Sequence, residues 1–156
     1  MSRVRGSLDI ARPAEVVFDT VADQRNEPSY NPTMTQSTKV TDGPIGVGTR
    51  FEATVISRGT PRPVTTEYTT FERPHRIDSR SVMDGATVHG HIRCDPTPAN
   101  TRFSWEWEVR LTGPARLAGP LIGMIGRRQE RTIWTGLKLY LEGPAMRSER
   151  GRSQRP

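Results

Sequence analysis

Thr101–Leu111 reads TRFSWEWEVRL, with Phe103, Trp105, Trp107, Val109 and Leu111 at every second position. Ser104, Glu106, Glu108 and Arg110 sit between them. A strand sends successive side chains to opposite faces, so this one has an aromatic, apolar face and a wet one. Three large rings on one face either pack as ordinary core or wall a cavity built for something apolar. The strand by itself leaves both readings open.

Working outward, runs of the same alternation precede it. They are STKV (37–40), TRFEATVI (49–56), VTTEYTTF (64–71), RIDSRSV (76–82) and ATVHGHIRC (86–94). DGPIGVG, the loop SRGTPRP, the Asp84-Gly85 pair and DPTPAN punctuate them. Asp-Gly is a tight-hairpin signal, and short glycine- and proline-rich connections join antiparallel neighbours. Ahead of these runs, SLDI (7–10) predicts a short strand. PAEVVFDTVAD predicts a helix with Val16, Val17, Phe18 and Val21 as its apolar stripe, and NEPSYNP a second short helical piece. The last segment, from about Pro114 to Leu141, has helical spacing in its second half, at Ile133, Trp134, Leu137, Tyr140 and Leu141. About seven antiparallel strands must bury one face, and the final helix is the only large partner offered. The expected fold is α+β, a curved antiparallel sheet wrapped around a long C-terminal helix, with two short helices after strand 1.

On a wheel of about 100° per residue, Ile133, Trp134, Leu137 and Leu141 share the sheet-facing side of that helix. The same side, followed toward the N-terminus, passes Glu130 and then Gly126, Gly123 and Gly119. Glycine inside a helix costs about 1 kcal/mol relative to alanine, so three on one face point to a volume left unfilled. The alternative is that Pro120 breaks the helix and residues 115–126 are irregular, with Leu117, Leu121 and Met124 as a rival apolar face.

Strand phase supplies further interior candidates. Phe51, Ala53 and Val55 share a face; so do Ile77, Ser79 and Ser81, which brings two hydroxyls inward; so do Val88, Gly90 and Ile92, where Gly90 leaves room. Tyr68 and Phe71 point inward together only if their strand carries a bulge. A lining that is mostly apolar, with a few hydroxyls and one acid, fits a small-molecule site.

Other chemistry finds little support. His89 and His91 have zinc-like spacing but are out of phase with Val88 and Ile92, so both face solvent and no third ligand declares itself. No metal and no cofactor is expected. Cys94, in phase with Ile92, reads as a buried thiol. GPIGVG does not lie between a strand and a helix, and no nucleotide fingerprint is present. Arg127, Arg128 and Arg131 with Glu130 read by default as a solvated helix face, Arg127 and Glu130 being spaced as an i,i+3 pair.

Length and composition set the frame. A chain of 156 residues fits one domain, here 1–143, followed by a disordered basic tail, 144–156. The net charge of +6 is concentrated in that tail, where Arg147, Arg150, Arg152 and Arg155 face only Glu149. No dense basic face remains on the body, so nucleic acid is not an expected partner. One cysteine and no long apolar run predict a cytoplasmic protein without an integral membrane segment.

Three stretches carry a family resemblance: IARPAEVVFDTVADQRNEPSYNP (10–32), DGPIGVGTRF (42–51) and GPLIGMIGRRQERTIWTGLKLYLEG (119–143). With the element order they resemble the START/Bet v 1-like (SRPBCC) superfamily, in its bacterial polyketide cyclase/dehydrase and lipid-transport branch. The resemblance implies a helix-grip fold with a deep cavity for a lipid, polyketide or similar apolar molecule. Tyr30 stands where relatives often place a tryptophan. A binder needs only the cavity, with Tyr30, Phe51, Tyr68, Ser79, Ser81, Gly90, Phe103, Trp105, Trp107, Gly123, Gly126, Glu130 and Trp134 as its lining. A cyclase or dehydrase needs in addition an acid or base inside, for which Glu130 and Tyr30 are the candidates. The expected partner is an apolar small molecule, in a monomer or homodimer.

Overall fold

The structure, a computed structural model, describes residues 2–98 and 100–143, and the backbone alone over 118–127. Seven strands form one antiparallel sheet in the order β1-β7-β6-β5-β4-β3-β2. They are β1 (Ser2–Ile10), β2 (Met34–Lys39), β3 (Arg50–Ser57), β4 (Thr60–Glu72), β5 (Arg76–Met83), β6 (Ala86–Pro96) and β7 (Thr101–Leu111). The helix α1 (Ala14–Ala22) and a 3₁₀ segment, Gln24–Ser29, follow β1; a second 3₁₀ segment, Gly113–Ala118, leads into α2 (Gly119–Glu142). This is the curved sheet and C-terminal helix of the helix grip.

Several boundaries differ from the sequence reading. β1 starts at Ser2 rather than Ser7, because Val4, Gly6, Leu8 and Ile10 alternate with polar residues and pair in register with β7. SRGTPRP is mostly strand, not loop. Ser57 pairs with Thr60 around Arg58-Gly59, both at positive φ, and Pro61 and Pro63 sit within the ladder to β3. The second helical piece is a 3₁₀ turn that begins at Gln24, capped by the Asp23 side chain, which accepts from Arg25 N–H at 3.2 Å. The backbone of 119–126 is helical, which removes the irregular alternative there. The bulge demanded by Tyr68 and Phe71 is present: the β4–β5 register shifts between Tyr68 and Thr70. Tyr68 is then fully buried and Phe71 packs at the edge of the same core.

The core lies between the sheet, α1 and the second half of α2. Ile10, Val17, Phe18, Phe51, Tyr68, Ile77, Phe103, Leu137 and Leu141 are each no more than 2% exposed. No described helix is long and apolar enough to cross a membrane.

Candidate functional site at the sheet–helix interface

The inward rings of β7 converge on Trp134 of α2. Its centroid lies 4.9 Å from Phe103, 6.0 Å from Trp105 and 6.4 Å from Trp107. Phe103 and Trp105 are closed core, 0% and 4% exposed, whereas Trp107 is half-buried. The two tryptophans lean over opposite neighbours. A Cβ added at Gly90 of β6 would collide with the Trp107 ring, and one added at Gly6 of β1 would collide with the Trp105 ring. The room that Gly90 leaves is therefore occupied by an indole of this chain.

Glu130 lies where these rings end. Its Oε2 accepts from Trp107 Nε1 at 2.5 Å and from Trp134 Nε1 at 2.9 Å. One carboxylate oxygen thus ties β7 to α2. Burial pushes the Glu130 carboxyl up to about 7; the two indole donors act against this and the charge of Glu27 adds to it. Arg127, the cation expected one turn earlier, lies outside the side chains described, as do Gly123 and Gly126.

The rest of the concave face near Trp107 is polar and incompletely covered. Ser79, Ser81 and Val88 are half-buried, and the Ser81 and buried Thr66 hydroxyls hydrogen-bond at 2.8 Å. The Phe51 and Tyr68 rings pack at a tilt with centroids 5.6 Å apart, both closed off, and the Tyr68 hydroxyl donates to the Ala22 carbonyl at 2.7 Å. These two belong to the closed core, although Tyr68 pairs directly with Ser79 across the β4–β5 ladder.

The turn 24–31 closes the other side. Tyr30 is 5% exposed, with its ring 6.3 Å from Trp134 and 6.0 Å from Tyr140. Its backbone carbonyl presses on α2 where a Cβ at Gly136 would stand. Beside it the Glu27 carboxyl accepts from Asn31 Nδ2 at 2.8 Å, and burial raises its pKa.

The outward face carries different chemistry. His91 Nδ1 lies 2.9 Å from Asp78, which Arg76 also grips, and His89 sits on the same wet side of β6. Among the described residues no cluster of His, Cys, Asp and Glu could hold a metal ion. Cys94 is fully buried, and burial pushes its thiol up to about 12, far from a reactive thiolate.

The family model described as polyketide cyclase / dehydrase and lipid transport matches residues 1–142. The chain belongs to that family. A START superfamily protein from Mycobacterium smegmatis is 17% identical, with TM-score 0.77 over 91% of this chain and 98% of that one. A Thermus thermophilus protein, TTHA0849, is 20% identical, with TM-score 0.76 over 87% and 94%. The ZhuI aromatase/cyclase from Streptomyces sp. R1128 is 16% identical, with TM-score 0.73 over 90% and 93%. These likenesses show the fold, that of the START/Bet v 1-like superfamily. No curated protein matches in sequence.

In this member of the family, sequence reasoning missed Gly6, Thr66, Gly136 and Glu27. Gly6 was legible once β1 is extended, as a glycine in phase with Val4 and Leu8. Gly136 carried a weak signal, a glycine within an otherwise strong helical repeat. Nothing local marks Glu27 as interior; only the fold of its turn against α2 brings it in.

Proposed function

We propose that this protein binds an apolar small molecule carrying one polar group, between the sheet and the first half of α2. The observation that carries the reading is Glu130, a half-buried carboxyl held by two indole N–H groups and flanked by the half-buried Trp107. Charged groups are rarely withdrawn from water without a partner of opposite sign, and neither indole supplies one. The half-buried Ser79, Ser81 and Val88 extend the same surface with two hydroxyls and an apolar side chain. The family description, with its reference to lipid transport, supports an apolar ligand. Phe103 and Trp105 act as the packed floor, and Trp107 is the ring in contact with the ligand.

A second reading, catalysis of a cyclase or dehydrase type, is favoured by one specific observation. A carboxyl with its pKa near 7 is suited to both give and take a proton at neutral pH. The aromatase/cyclase among the structural neighbours supports it at the level of the fold. Both readings use the same site.

Native mass spectrometry of the purified protein, with solvent extraction of any bound mass, tests the shared core of both. A co-purifying apolar compound is expected. Titration with a medium-chain fatty acid should shift or quench tryptophan emission. No bound mass and an unresponsive emission spectrum would rule the reading out.

A further inference from the structure

Tyr30 is 5% exposed, and among the described residues its hydroxyl has no hydrogen-bond partner. Almost all buried polar groups are satisfied, and one that is not lowers stability. The polar groups around it are already engaged: the Tyr68 hydroxyl on Ala22 carbonyl, the Glu27 carboxyl on Asn31. The ring cannot swing to solvent, being held between Trp134 and Tyr140, with its own carbonyl against Gly136. Burial and the Glu27 charge keep the phenol protonated, hence a donor.

We propose that the Tyr30 hydroxyl is a second ligand contact, a hydrogen-bond donor held ready for an acceptor oxygen on the bound molecule. The inference rests on the binding function proposed above and narrows its ligand. The Tyr30 backbone carbonyl meets α2 at Gly136, about 9 Å along the helix axis past Glu130, and its ring lies between Trp134 and Tyr140, both also past Glu130 on that helix. The ligand class is accordingly a rigid apolar body with a carbonyl or ether oxygen set apart from the polar group that meets Glu130. A simple hydrocarbon chain with one polar end satisfies Glu130 alone.

Fluorene and 9-fluorenone, alike in shape and differing by one carbonyl oxygen, test this against the wild-type protein and Tyr30→Phe. Binding is followed by tryptophan emission, and the unliganded proteins are melted in parallel. Wild type should prefer fluorenone by roughly 3- to 10-fold, the worth of one neutral hydrogen bond. Tyr30→Phe should lose that preference, keep its affinity for fluorene, and melt at the same temperature as wild type or higher. An unchanged preference in Tyr30→Phe overturns the inference. So does a variant that melts several degrees lower, since the hydroxyl then serves the fold. If both probes bind wild type equally, this contact fails while the binding function stands; if neither binds, the binding function fails and takes this contact with it.

Discussion

Glu130 shows how one side chain couples protonation to both stability and binding. Its folded-state pKa of about 7 lies above the usual carboxylate value, so the folded state holds a proton that the unfolded chain has already released. Stability should therefore fall as pH rises from about 4.5 to about 7, and stay lower above that. Glu130→Gln preserves the acceptor oxygen for both indoles and removes the ionisation. Melting curves of wild type and variant between pH 4.5 and 8 should converge at the acid end, with the wild type losing more as pH rises. Parallel curves would mean that Glu130 is solvated. In a cyclase or dehydrase the same substitution should lower the rate by roughly 100-fold or more. In a binder, affinity should change modestly and lose its pH dependence across neutrality.

At the level of elements, β7 acts through its neighbours. Trp107 fits only because β6 has no side chain at Gly90, and Trp105 only because β1 has none at Gly6. Gly90→Ala should cost about 1–3 kcal/mol, the usual range for overpacking a filled site. With Trp107→Leu in the background, the added methyl should cost much less, which thermal melts of the two single variants and the double variant will show. Equal costs in both backgrounds would detach Gly90 from the ring. The alternation of TRFSWEWEVRL made the aromatic face legible, and so did the bulge that Tyr68 and Phe71 require. What stayed hidden is which neighbour each ring covers. Strand phase gives the face of a side chain but not the direction in which a long ring leans across the sheet. That lean is why Gly90 reads as space in the sequence and as a seat for an indole in the fold.

For the whole molecule, the charge pattern matters more than its sum. On the outward face of the sheet Arg3 meets Glu106 and Glu108, Arg102 meets Asp9, and Arg76 meets Asp78. Apart from Arg76–Asp78, whose carboxylate is buried, such exposed pairs add little stability, and they interleave the two signs on that face. Much of the +6 belongs to the last residues of the chain. Residues 147–156 contain no apolar side chain to anchor them, so deleting them should leave the melting temperature within about 1 °C and probe binding unaltered. A fall of several degrees would place the tail on the body. Element order and the three motif stretches made this architecture readable from the chain. The polar interior around Glu27 and Tyr30 was not, because it is assembled by contacts between segments about 100 residues apart.

The two glycine–tryptophan pairs also bear on how this sequence can change over generations. Gly90 can acquire a side chain only at a cost in stability while Trp107 keeps its indole, and a smaller residue at 107 would remove that cost. Positions 90 and 107, and likewise 6 and 105, are each one heritable unit split between two strands. In related sequences a loss of the ring should precede or accompany the loss of its glycine, because the reverse order passes through an overpacked, less stable intermediate.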